Sequence, residues 1–165
     1  YIVNTCQRKD IFFGICGGGP YLETIKNRVQ DLGLSEYIEF TGRVSDDKLL
    51  DYLNTADLCV NPDEYNEMND RSTMNKVLEY MALAKPIVQF DLTEGRYSAK
   101  DASLYAKPND AIDLGDKILE LLEDEGRRKA MGESGYQRVQ NELSWNHTSK
   151  ALIAGYEYYF EQKAR

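Results

Sequence analysis

The segment Ser72-Thr73-Met74-Asn75-Lys76-Val77-Leu78-Glu79 carries residue types that suit an anionic ligand. Ser72 or Thr73 can cap a helix starting here, leaving the backbone N–H groups near Met74, Asn75 and Lys76 without partners inside the helix. Those groups and the helix dipole form an anion site, to which Lys76 adds a full positive charge. Glu79 lies three residues after Lys76 and four after Asn75, on the same helix face. Its carboxylate can accept hydrogen bonds from two adjacent ribose hydroxyls while a diphosphate sits at the helix start. The axial distance from Thr73 to Glu79, roughly 9 Å, suits that span. The same spacing also describes an ordinary Lys76–Glu79 surface ion pair on a capped helix.

A second candidate is Gly17-Gly18-Gly19-Pro20, which closes an apolar run. Backbone without Cβ lets a ligand approach closely, and a helix start behind it favours a phosphate. It does not match a dinucleotide fingerprint: the third glycine would fall at Leu22, and the next strand ends in Thr41 rather than an acid. A tight strand-to-helix turn explains the run equally well. Asp63, Glu64, Glu67 and Asp70 crowd the loop before the first segment, but their irregular spacing favours a solvated acidic loop over a metal site. His147, the single histidine, reads as a helix-start residue beside Trp145. No nucleophile–histidine–acid arrangement can be assembled.

The elements that must position these residues follow from hydrophobic period. Ile11-Phe12-Phe13-Gly14-Ile15-Cys16 reads as a strand buried on both faces. Leu22, Ile25, Val29 and Leu32 recur at helical spacing, and Gly33 supplies the C-terminal cap. Ile38-Glu39-Phe40-Thr41 is a second strand, and Ser45 or Asp46 caps the helix that follows. Leu58-Cys59-Val60 is a third strand, followed by a polar loop from Asn61 to Ser72 and a helix over about residues 73–83. Pro86-Ile87-Val88-Gln89-Phe90 is a fourth strand and Ser103-Leu104-Tyr105 a fifth. Beyond it the chain reads as helical, with one stripe at Leu114, Ile118, Leu121 and Leu122. A second stripe at Leu152, Tyr156, Tyr159 and Phe160 is expected to give core contacts. Strand alternating with helix predicts a single α/β domain over residues 1–165, a doubly wound parallel (Rossmann-like) sheet. Ligands bind such sheets at the carboxyl ends of the strands, where the loops at Gly17, Gly42-Arg43-Val44 and Asn61 all lie.

Composition narrows the function classes. The 165 residues are 42% hydrophobic and 29% charged, enough for one ordinary core. A net charge of −8 excludes a general basic footprint for nucleic acid. The three cysteines lack metal-site spacing; Cys16 and Cys59 end apolar runs as small buried thiols, and a reducing, cytosolic setting follows. No run approaches the roughly 20 apolar residues of a membrane span. The opening Tyr1-Ile2-Val3-Asn4 resembles a helix end, so the sequence is expected to be a piece of a longer protein.

Several motifs together resemble the family-4 (group 1) glycosyltransferases of the GT-B fold. Gly17-Gly18-Gly19-Pro20 is similar to that family's glycine-proline loop, and Phe40-Thr41-Gly42-Arg43-Val44 to its F-x-G-x-V loop. Tyr52-Leu53-Asn54-Thr55-Ala56-Asp57-Leu58 resembles Y-x-x-A-D. The run from Lys76 through Glu79 to Pro86-Ile87-Val88 resembles the segment in which a helix glutamate precedes A-x-G-x-P-V-V. Met131-Gly132-Glu133-Ser134-Gly135 through Trp145 is similar to the family's tail.

The resemblance implies the C-terminal, donor-binding half of a two-domain enzyme. Such an enzyme moves a sugar from a nucleotide diphosphate to an acceptor, with retention and with no metal or cofactor. It implies that Gly42-Arg43-Val44 holds the base, the glycine loop lines the base or ribose side, and the backbone near Asn75 and Lys76 holds the diphosphate, with Thr73 also among the nucleotide-sugar-binding residues. Glu79 would hold the ribose. A uridine nucleotide is the donor expected from family frequency. Polysaccharide assembly in bacteria, a cytoplasmic location with peripheral membrane association, and an acceptor domain outside residues 1–165 are implied likewise. The chain departs from the pattern where a second glutamate contacts the sugar eight residues before Glu79. Arg71 stands there, with Asp70 adjacent as a substitute. The family's first strand of this domain, with its Arg/Lys phosphate clamp, is expected to precede Tyr1. The alternatives are a sugar-nucleotide epimerase of the same architecture and a non-catalytic nucleotide-binding or interaction module.

Overall fold

The computed structural model describes residues 1–163. Five strands alternate with helices: β1 (Phe13–Cys16), α1 (Leu22–Asp31), β2 (Ile38–Gly42), α2 (Asp46–Thr55), β3 (Cys59–Asn61), α3 (Glu67–Asp70), α4 (Asn75–Ala82), β4 (Ile87–Phe90), α5 (Thr93–Ala99), β5 (Ser103–Ala106), α6 (Ala111–Leu122), α7 (Glu125–Arg138) and α8 (Trp145–Lys163). Every strand pair is parallel, as the alternation requires.

The sheet is divided. β1 pairs with β2, and β3-β4-β5 form a second sheet. In a doubly wound sheet of order 3-2-1-4-5-6 these strands take places 3-2 and 4-5-6. β1 therefore has one bonded edge among the described residues, and Phe12 and Ile15 remain 59% and 42% exposed. The expectation of a first strand buried on both faces fails for that reason. β4, bonded on both sides, is buried along its whole length.

The core lies on both faces of the second sheet, and β4 shows why. Val88 and Phe90 face a layer built by Ile2, Leu114, Ile118, Leu121 and Met131. Ile87, on the other face, meets Val77 and Met81 of α4 with Ala99 and Ala102. That is the period-2 alternation of a strand covered on both sides. The helical stripe of α6 is buried as expected, except for half-exposed Leu122.

Local signals behave as their chemistry dictates. Ser45 caps α2 by accepting from Lys48 N. Gly33 has φ +67°, and Leu34 N bonds Val29 O at 2.9 Å, closing α1 with a left-handed residue. Ala84 adopts φ +53° between α4 and β4, a left-handed conformation that glycine takes without strain. α7 crosses that turn closely: a Cβ on Gly132 would lie 2.0 Å from the Ala84 carbonyl oxygen. A Cβ on Gly135 would lie 3.0 Å from Ala102 Cβ and 3.1 Å from Met81 Cγ. The Met131-Gly132-Glu133-Ser134-Gly135 motif is therefore a packing device.

Three parts of the fold differ from expectation. α3 interrupts the polar loop, capped by Asn66, whose side chain accepts from Asn69 N. α5 stands between β4 and β5; its buried residues are Gly95, Ser98 and Ala99, too small to give an apolar stripe. α8 runs 19 residues with none buried, so Leu152, Tyr156, Tyr159 and Phe160 are exposed rather than core. Its contacts are mainly with the π-helical turn Val139–Leu143.

Candidate functional site

The loops singled out in the sequence gather at the carboxyl ends of the strands, in two groups. In the first, Gly17 N donates to Gly42 O at 2.8 Å, so the glycine loop and the Gly42-Arg43-Val44 loop touch directly. Gly17 (φ +129°) and Gly42 (φ +67°) need glycine for their backbone angles. Gly18 and Gly19 do not, and nothing lies within 4 Å of a Cβ built on either. Pro20 and Arg43 are exposed and Val44 half-buried, around this open surface.

The second group surrounds the start of α4. The helix begins at Asn75 with Met74 in the N-cap position and no side-chain cap. Neither Ser72 nor Thr73 caps it, contrary to expectation: Ser72 Oγ donates to Met68 O at 2.6 Å and Thr73 Oγ1 to Glu94 Oε1 at 2.7 Å. Both hydroxyls are drawn into helices the sequence did not reveal, α3 and α5. The first-turn N–H groups of α4 are therefore left without a side-chain acceptor, and Val77 N turns to Met74 O.

The Lys76–Glu79 pair does not form. Lys76 Nζ lies 2.7 Å from Asp63 Oδ2 instead, with both side chains partly exposed. Asn75 and Glu79 are exposed on the outer face of α4. The other loop carboxylates are dispersed rather than clustered. Glu67 faces Arg71 at 3.4 Å, and both Asp70 oxygens accept from Thr93. No hydrogen bond or ion pair joins the two groups among the described residues.

Beneath them lies a buried amide chain that sequence reading missed. Asn61 Nδ2 donates to Gln89 Oε1 and Gln89 Nε2 to Gly95 O, each at 3.3 Å. Asn61 and Gln89 are paired positions on adjacent strands, on the face covered by α4 and α5. A Cβ on Gly95 would lie 2.9 Å from Gln89 Oε1, so glycine makes room for the amide. Polar residues inside otherwise apolar strands were the available signal. Asn61 Oδ1 is buried without a partner among the described residues. Burial pushes the Cys59 thiol up to about 12, which keeps it protonated and inert, as its place in an apolar run suggests.

A parallel α/β sheet with glycine loops and an uncapped helix start at its carboxyl edge defines a Rossmann-like ligand-binding domain. Residues 3–138 match the family model described as glycosyl transferases group 1, and the chain belongs to that family. It is 29% identical, over 146 residues, to a GDP-mannose-dependent alpha-(1-6)-phosphatidylinositol monomannoside mannosyltransferase of Mycobacterium tuberculosis. That match covers 84% of this chain and 37% of the relative, so the chain spans well under half of its length. The fold is similar to part of sucrose-phosphate synthase from Thermosynechococcus elongatus, with a TM-score of 0.74 at 24% identity, covering 92% of this chain and 39% of that one. An S. aureus TarM variant in complex with fondaparinux, alpha-GlcNAc-glycerol and UDP superposes with a TM-score of 0.72 at 20% identity, over 84% of this chain and 27% of that one. The architecture is thus the Rossmann-like half of a GT-B glycosyltransferase fold.

Proposed function

We propose that the protein containing this chain transfers a glycosyl group from a nucleotide-diphosphate sugar to an acceptor, with retention, in bacterial polysaccharide or glycoconjugate synthesis. The observation that carries the donor assignment is the uncapped first turn of α4. Its N–H groups, with Lys76, would face the diphosphate and neutralise charge as it departs, without a metal or other cofactor. Glu79 and Asn75 are accessible on the same helix, Glu79 for the ribose hydroxyls. The base and ribose would lie over Gly17, Gly18, Gly19, Pro20, Gly42, Arg43 and Val44, where Gly18 and Gly19 leave open surface.

On the sugar side, Arg71 makes one long surface contact and is accessible, whereas Asp70 is committed to α5. Asp70 thus acts on the sugar chiefly by placing the loop. A uridine donor agrees with the UDP bound by TarM, while the mannosyltransferase relative uses GDP-mannose. The share of each relative covered supports an acceptor domain elsewhere in the protein. The divided sheet supports a further strand, supplied from outside these residues, between β1 and β3. No helix of the described residues is long and apolar enough to cross a membrane. A cytoplasmic location with peripheral membrane association belongs to the same proposal for the whole protein.

The test is titration of the whole protein with UDP- and GDP-sugars, read by binding and by sugar transfer. Glu79→Ala should weaken nucleotide binding about tenfold, as expected for loss of a charged hydrogen-bond pair. A Glu79→Ala protein that binds and transfers like wild type rejects the ribose assignment. Release of an isomerised sugar without an acceptor would identify an epimerase, and failure to bind any nucleotide a non-catalytic module.

A further inference from the structure

The cation assigned to the diphosphate already has an anionic neighbour. Lys76 Nζ and Asp63 Oδ2 are 2.7 Å apart, with side chains 38% and 26% exposed. Apart from this ion pair the buried Oδ2 has no hydrogen-bond partner among the described residues. Asp63 is thus not occupied with a cap or a turn through that oxygen, unlike Asp70, and the oxygen is paired with Lys76. It also has little freedom to leave. It follows Pro62, whose φ is fixed, and Asn61, which is 5% exposed and tied to Gln89 across the sheet.

Any phosphate that approaches Lys76 therefore meets a carboxylate within one side chain of its binding cation. Like charges at that range repel, and partial burial weakens the screening that would hide this at an open surface.

We propose that Asp63 sets the affinity threshold of the donor site: it weakens the binding of every phosphate group at Lys76, so that only a ligand with additional contacts, a whole nucleotide diphosphate, is retained. This inference rests on the placement of the diphosphate at the start of α4. Orthophosphate and pyrophosphate, which lack a base and ribose, are the ligands it excludes. Asp63 is a residue acting through Lys76 rather than on the sugar.

The experiment is calorimetric titration of the whole protein with pyrophosphate, UDP and GDP. The proteins are wild type, Asp63→Asn, Asp63→Ser, Lys76→Met and the Asp63→Asn/Lys76→Met pair, each checked for an unchanged melting transition. Removing the carboxylate should tighten pyrophosphate and the preferred nucleotide alike, by about tenfold, the scale of a close like-charge contact. In the Lys76→Met background the same change should have under about a twofold effect, because the two charges act as one unit. Unchanged or weaker binding in Asp63→Asn and Asp63→Ser overturns the inference and makes Asp63 a support for Lys76. If Lys76→Met leaves nucleotide binding unaltered, the diphosphate placement fails and the inference with it. If Lys76→Met weakens binding while the Asp63 variants do not tighten it, the placement stands and only the inference fails.

Discussion

Asp70 and Thr93, 23 residues apart, are joined by two hydrogen bonds: Thr93 N donates to Asp70 Oδ1 at 2.8 Å and Thr93 Oγ1 to Asp70 Oδ2 at 3.0 Å. Asp70 thereby supplies α5 with the cap that its own N-cap residue, Leu92, cannot. The next residue, Glu94, accepts from Thr73. The first turn of α5 consequently fixes both ends of the segment between α3 and α4. Asp70→Ala should cost about 1–2 kcal/mol of stability, the usual worth of a lost charged cap. Thr93→Val, which keeps the backbone donor, should cost less. If the two substitutions leave the denaturation midpoint unchanged, Asp70 is not a structural link.

The turn between α4 and β4 makes opposite predictions for two small residues. Ala84→Gly should stabilise by about 0.5–1 kcal/mol, the strain of a left-handed alanine less the extra chain entropy of glycine. Gly132→Ala should destabilise by about 3 kcal/mol or more, because its Cβ would strike backbone 2.0 Å away. Urea unfolding of both variants of the whole protein checks the pair.

The cysteines should differ in reactivity. With its pKa pushed up to about 12 by burial, Cys59 is a protonated thiol throughout the neutral range. The raised value favours the neutral form, so thiolate appears only as pH climbs towards it. Alkylation near pH 8, followed by peptide mass analysis, should modify half-exposed Cys6 and Cys16 while native Cys59 stays unmodified. Modification of Cys59 at a rate equal to the others would contradict its burial.

The aromatic side chains of α8 should contribute little to the stability of residues 1–163 themselves. Tyr156 and Phe160 stack at 6.4 Å but both are exposed. Tyr156→Ser with Phe160→Ser should shift the unfolding of the isolated chain by no more than about 0.5 kcal/mol. A larger loss would show that α8 packs onto the core.

Much of this protein is determined by sequence because the signals are local. Buried strand runs, the Ser45 cap and the left-handed glycines act within a few residues, and they placed every strand and the loops after them in order. The contact between Gly17 and Gly42 also follows once parallel strands bring their carboxyl ends together. Tertiary structure alone decided the partners of polar side chains. Lys76 has carboxylates nearby in sequence at Glu79 and in space at Asp63, and the loop path selects Asp63. Thr73 has the chemistry of a helix cap, yet Glu94 of α5 takes its hydroxyl. α5 itself was illegible because its buried face is made of small residues, which carry no hydrophobic period. The aromatic stripe of α8 has that period but finds no surface among these residues to cover it. Periodicity records what a helix can bury, and only packing decides whether it does.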